Sequence, residues 1–114
     1  RSEKGENMLT FKVEQPGAVG VLSAEGELTI RHAGEMRTAL LNSLESVGHV
    51  RLNFEKVTEV DLSCLQLLCS AYLTSRMAHK QLTLFVCSEP FKQAVRDAGY
   101  FYAKGCFPEC EKTV

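Results

Sequence analysis

The sequence predicts an α/β fold, a mixed sheet of four to five strands with three main helices packed on it. Three observations predict this. Strand-like segments of alternating or continuous apolar character take turns with segments of helical spacing, the order that gives parallel strand pairs joined by crossovers. The first two strand-like segments instead flank a Gln15-Pro16-Gly17 turn, so the sheet opens with an antiparallel hairpin. No linker, internal repeat or low-complexity segment divides the 114 residues, a length that suits one domain with one core.

The elements follow in order. Leu9-Thr10-Phe11-Lys12-Val13-Glu14 alternates apolar and polar residues, as a half-buried strand does. After the turn, Ala18–Ser23 is a second apolar run. Gly26-Glu27-Leu28-Thr29-Ile30 continues it or forms a short third strand, with Gly26 as a kink or bulge. From Arg31 to Val47 the residues Ala33, Met36, Leu40, Leu44 and Val47 recur at steps of three and four and form one apolar helical stripe. Thr29 is its expected cap and Gly48 its stop. Val50-Arg51-Leu52-Asn53-Phe54 alternates again as a strand, and residues 55–59 read as a polar connection interrupted by Val57.

From Ser63 to about His79 good helix formers dominate, with Leu65, Leu68, Tyr72 and Met77 expected inward and Leu67, Ala71 and Leu73 widening the apolar arc. Leu82–Cys87 is short, apolar and β-prone, as an interior strand is. Ser88-Glu89-Pro90 supplies a capping hydroxyl and an early proline for a third helix, whose apolar face is Phe91, Ala94, Val95 and Ala98 and whose end is Gly99. Tyr100-Phe101-Tyr102 is expected to pack back on the core, and residues 103–114 carry little pattern.

Composition narrows the function classes. The chain is 45% hydrophobic and 24% charged with a net charge of -1, so bulk electrostatics favour neither nucleic acid nor an anionic membrane. Its apolar runs are far shorter than the ~18 residues of a membrane span. Residues 1–7 are polar and Met8 resembles a natural start. They are therefore expected to be a tag remnant or a disordered extension, with one domain over 8–114. Cys64, Cys69 and Cys87 lie in apolar segments and behave as small hydrophobes, which suits the reducing cytoplasm better than a disulfide framework. Cys106 and Cys110 make a Cys-x-x-x-Cys pair, but His32, His49 and His79 are scattered and supply no second ligand pair, so no metal is expected. No nucleophile–base motif and no Gly-rich phosphate loop occurs, so no catalytic residue, cofactor or enzymatic activity is expected.

Chemistry concentrates at Val60-Asp61-Leu62-Ser63-Cys64-Leu65, where a strand-like segment gives way to a helix. The unpaired N–H groups and positive dipole end of a helix start suit a phosphate. Ser63 is a candidate phosphorylation site there. The plainer reading makes it a helix cap, and the two roles are compatible. Asp61 is read as a residue that orients a kinase-bound nucleotide–metal complex or tunes the serine, or as a solvated acid near the helix start.

The chain resembles the STAS domain, the fold of bacterial anti-sigma-factor antagonists, over roughly residues 9–102. Gly26-Glu27-Leu28 followed by a helix resembles that family's Gly-Glu-Leu-Asp segment. Val50–Phe54 resembles its central strand, and Asp61-Leu62-Ser63-Cys64-Leu65 its Asp-Ser-Ser-Gly-Leu signature. The resemblance implies that Ser63 occupies the position phosphorylated by a partner kinase that is also an anti-sigma factor, and that Asp61 is the signature's acid. Three positions depart: Leu62 stands for the first serine, Cys64 for the glycine and Thr29 for the final Asp. In this the chain resembles the looser STAS branch of chemotaxis-linked proteins and of accessory subunits of lipid ABC transporters.

The expected function is a protein-binding regulatory module, monomeric or weakly dimeric and not embedded in a membrane, switched at Ser63. Asp61, Leu62, Cys64 and Gln66, with Thr29, Arg31 and His32, are the expected partner contacts. The alternatives are a non-switching accessory subunit on a transporter ATPase or a chemotaxis adaptor. A small-ligand carrier would need a sizeable pocket.

Overall fold

The computed structural model describes residues 9–99 and 110–113. One five-stranded sheet runs in the order β1-β2-β3-β4-β5, formed by Leu9–Gln15, Val19–Leu28, His49–Val60, Gln81–Cys87 and Cys110–Thr113. β1 and β2 are antiparallel and the other neighbours are parallel. The helices are α1 (Ala33–Ser46), α2 (Leu62–Met77) and α3 (Glu89–Asp97). The fold is thus the expected mixed α/β sheet with three helices. Residues 1–8 and Tyr100, Phe101, Tyr102 and Cys106 lie outside the described residues.

The hairpin turn forms where Pro16 and Gly17 stand, with Gly17 at φ +74° and Ala18 N–H donating to Gln15 O at 2.8 Å. β2 then runs unbroken past Gly26, which sits at φ +86° between two register shifts against β3. A positive φ costs little only for glycine, so Gly26 lets one long strand bend without ending.

The core gathers where strand alternation and helical stripes meet. Val50, Leu52 and Phe54 of β3, Met36, Leu40 and Leu44 of α1, and Leu65 and Leu68 of α2 share one buried cluster. Each such side chain contributes about 1.5–3 kcal/mol by leaving water. α3 is fixed by Phe91, whose ring meets Phe54 edge-on with centroids 5.1 Å apart. Buried Ser88 caps it, accepting from Phe91 N–H at 3.3 Å while its hydroxyl donates to Val57 O at 2.5 Å.

Several expectations change. Residues 55–59 are not a connection: β3 continues to Val60 because the extended β2 offers Glu25–Leu28 as a partner, and Val57 is buried. Thr29 does not cap α1. A single 3₁₀ turn (Ile30–His32) intervenes, and neither Thr29 nor His32 makes a side-chain cap bond. α1 ends as Val47 turns extended (φ -138°, ψ 165°), before Gly48 is needed. Met77 (82% exposed) and Leu73 (43%) face outward, since the inner arc of α2 is filled by Cys64, Leu65, Leu68, Ala71 and Ser75. Ala98 is exposed too. β5 is a strand that residues 103–114 did not announce.

Candidate functional site

The site begins with the way two strands end side by side. β2 and β3 pair in parallel as far as Leu28 and Val60, and Asp61 N–H extends the ladder by donating to Leu28 O at 3.0 Å. The segment leaving β2 (Thr29, Ile30) therefore lies against the first residues of α2.

Asp61 ties the two segments together. Its backbone is extended (φ -103°, ψ 173°), the conformation of an N-cap. One carboxylate oxygen, Oδ1, accepts the Ser63 hydroxyl at 2.6 Å and Cys64 N–H at 3.3 Å. The other, Oδ2, accepts Ile30 N–H at 2.7 Å. One side chain thus caps α2 and the 3₁₀ turn that precedes α1. Burial pushes the Asp61 carboxyl upward, but the bonds from Ser63, Ile30 and Cys64 together outweigh it and hold the group below its ordinary range. At neutral pH Asp61 is an anion.

Ser63 is not the cap. It is the second residue of α2, half-buried, with its hydroxyl proton directed to Asp61. Sequence rules did not separate the two assignments, because Asp and Ser are equally good caps and stand two positions apart. The arrangement keeps Oγ at the partly open start of a helix, with its lone pairs released from the proton-donating direction. Asp61 polarises the O–H toward an anion, which favours attack by Oγ on a phosphoryl group.

The other expected contacts separate into two groups. Leu62 (53% exposed), Gln66 and Arg31 are exposed, and Thr29 and His32 are half-buried, with His32 Nδ1 3.3 Å from Glu35 Oε1. Cys64 does not belong with them. It is 0% exposed, and its Sγ–H reaches Thr29 O at 3.5 Å. Burial and the charge of Asp61 push its thiol up to about 11. In place of the glycine expected in the signature, this side chain fills the gap beneath the Thr29 segment.

Sequence reasoning missed Ile30, which is 70% exposed beside Asp61. Its apolar type read as a strand end. No local signal marked it, because Glu27-Leu28-Thr29-Ile30 keeps the alternation of β2 past the strand's end at Leu28. Ile30 and Leu62 flank the Ser63 site with apolar surface.

Among the described residues no group of three or more His, Cys, Asp or Glu side chains comes together, and no helix is long and apolar enough to cross a membrane. A polar cleft of about 200 Å³ lined by residues that include Thr10, Ser23, Asn53, Glu55 and Lys56 lies along β1–β3, and none of the residues around Ser63 lines it.

No curated protein matches the chain in sequence. In fold it is similar to the anti-sigma factor antagonist SpoIIAA in its unphosphorylated form, at 17% identity and a TM-score of 0.68, over 91% of this chain and 88% of that one. It is similar also to the Bacillus cell fate determinant SpoIIAA in the phosphorylated form, at 14% identity and a TM-score of 0.65, over 89% of each chain. A family model described as "Mlab, STAS domain" matches residues 11–100. With that match over most of its length, the chain belongs to the STAS domain family, a family of regulatory rather than enzymatic proteins.

Proposed function

We propose that this protein is a cytoplasmic binding module of the anti-sigma-factor-antagonist type, released from its partner by phosphorylation of Ser63. The partner is a protein that is both serine kinase and anti-sigma factor, and the module acts in transcriptional regulation. The observation that carries the reading is the Ser63 hydroxyl, half-buried at the first turn of α2 and hydrogen-bonded at 2.6 Å to an ionised Asp61.

Phosphorylation removes the proton that Ser63 donates and adds a charge of about -1.5 to -2 beside the Asp61 carboxylate. The helix start offsets part of this, by about 0.3–1 kcal/mol at an exposed site. It does not restore the lost bond. Asp61 and the phosphate then compete for the same N–H groups, and the segment holding Ile30 loses its anchor. A partner docked over Ile30, Leu62, Gln66, Arg31, His32 and Thr29 meets new charge and a shifted loop, and lets go.

The test is incubation with the cognate kinase and ATP, followed by intact-mass measurement and a partner pull-down. One added phosphate, absent in Ser63→Ala, together with loss of the partner supports the reading. A phosphorylated form that binds as tightly as the parent refutes it. A second reading, a non-switching accessory subunit on an ABC transporter ATPase or a chemotaxis adaptor, is favoured by the exposed apolar pair Ile30 and Leu62, which suits a constant interface. That reading requires no kinase and a partner retained under all conditions.

A further inference from the structure

The parallel pairing of β2 with β3 carries a defect. Ser23 of β2 stands opposite Asn53 of β3, and Glu25 opposite Lys56, so Ala24 alone faces both Phe54 and Glu55. This is a β-bulge, and it breaks the in-and-out alternation of β3. Phe54 (0% exposed) and Val57 (1%) both enter the core. Glu55 and Lys56, the two residues between them, are both exposed on the face away from it. Asn53 secures the bulge, since its Oδ1 accepts Glu55 N–H at 3.1 Å.

The polar cleft of about 200 Å³ lies at this bulge. Thr10, Ser23 and Asn53 line it as register partners across β1, β2 and β3, a row about 10 Å long at the usual strand spacing of ~4.8 Å. Glu25, Glu55 and Lys56 line it further along the strands. Among the described residues no ion pair joins Lys56 to either glutamate, although Glu25 is its register partner. The Asn53 amide N–H groups and the Thr10 and Ser23 hydroxyls likewise have no protein partner there. The bulge thus gathers two anions, a cation and three neutral hydrogen-bonding groups that the fold leaves unused.

The chemistry of the lining selects the occupant. Two carboxylates against one ammonium repel a polyanion. A metal ion lacks a third acidic, thiol or imidazole ligand, since no group of three such side chains comes together among the described residues. An apolar molecule strips water from the charges and returns no hydrogen bond. A small zwitterion satisfies every group. Its ammonium goes to Glu25 and Glu55, its carboxylate to Lys56, and its remaining polar atoms to Thr10, Ser23 and Asn53. The cleft is smaller than the ~300 Å³ at which drug-sized sites begin, which suits a molecule of a few heavy atoms. We propose that the bulge cleft binds a free amino acid, independently of any modification of Ser63. Thr10, Glu25, Glu55 and Lys56 are exposed, so the site is wet and the affinity weak, on the order of millimolar.

Titration of the isotope-labelled full chain with each common L-amino acid in turn, followed by backbone amide shifts, tests it. At least one amino acid is expected to move the Ser23, Asn53 and Lys56 amides saturably. Ethylammonium and acetate each carry half of the charge pair and are expected to bind at least about tenfold more weakly. Lys56→Met and Glu55→Gln are each expected to weaken the amino acid at least about tenfold. Thr74→Ala, at an exposed position of α2, is expected to leave it unchanged. Unmoved amides elsewhere show that each variant is folded, and Glu25→Gln replaces Glu55→Gln if that variant loses the bulge. The absence of saturable shifts at these amides with every amino acid overturns the proposal. So does equal binding of ethylammonium or acetate, which marks an adventitious ion only, or binding indifferent to Lys56→Met and to the glutamine variant.

Discussion

The Asp61 carboxylate accepts the backbone N–H of Ile30 at 2.7 Å across a separation of 31 residues. Its other oxygen holds Ser63 and Cys64. One acid therefore caps two successive helical segments and orients the hydroxyl of the candidate switch. Replacing it disturbs the local fold and the switch chemistry together.

Asp61→Ala removes the cap of α2 and leaves Ile30 N–H without its acceptor. The cap is worth about 1 kcal/mol. Ile30 is exposed, so water replaces its bond and limits the further loss. The expected destabilisation is about 1–2 kcal/mol, read as a lower denaturant midpoint with an unchanged slope.

The pH dependence follows from the sign of the shift. The Asp61 carboxyl titrates lower in the folded chain than in the unfolded one, because its bonds to Ser63, Ile30 and Cys64 more than offset the opposing effect of burial. Its contribution is complete above the unfolded value of about 3.9 and is lost as pH falls through the folded one. Asp61→Asn has no charge to lose. The stability gap between parent and Asp61→Asn is therefore expected to be constant near neutrality and to close in acid. A gap that widens in acid contradicts the assignment.

Cys64 combines 0% exposure with a thiol raised to about 11. Thiolate is the reactive form, and at pH 8 almost none is present. Iodoacetamide is expected to leave Cys64 unmodified in the folded chain and to label it fully in denaturant. Peptide mass spectrometry distinguishes the two.

Gly26 stands at φ +86° on the bend of β2, two residues before the strand delivers Leu28 to Asp61. A side chain there strains the backbone by about 1–2 kcal/mol. Gly26→Ala is expected to lower stability by that amount. Amide exchange at Ile30 should also speed up, because the loop that Asp61 holds is displaced.

Most of the architecture was legible because its signals are local. The alternation of Leu9–Glu14 and Val50–Phe54, the stripe of Met36, Leu40 and Leu44, and the Ser88–Pro90 cap each carry their own pattern. What escaped depends on partners distant in sequence. Residues 55–59 are a strand only because β2 runs on beside them, and Cys110–Thr113 only because β4 offers an edge. Asp61 and Ser63 were legible as neighbours at a helix start, but the cap was read as Ser63, whereas Asp61 holds that place. Their assignment depended on Ile30, whose N–H no local pattern connects with residue 61. Cys64 was read both as a small hydrophobe and as a partner contact, and its place a half-turn from Leu62 and Gln66, in the core, bears out the first reading.

The last strand has a practical consequence for anyone who trims this protein. The family match stops at residue 100, whereas β5 covers one side of β4 with residues 110–113. A version shortened to the family boundary bares the hydrogen-bonding edge of Leu82-Thr83-Leu84-Phe85-Val86, a run with no charge and no proline. Such an edge recruits strands from other chains. Shortened preparations will tend to precipitate for a reason unrelated to the chemistry of Ser63.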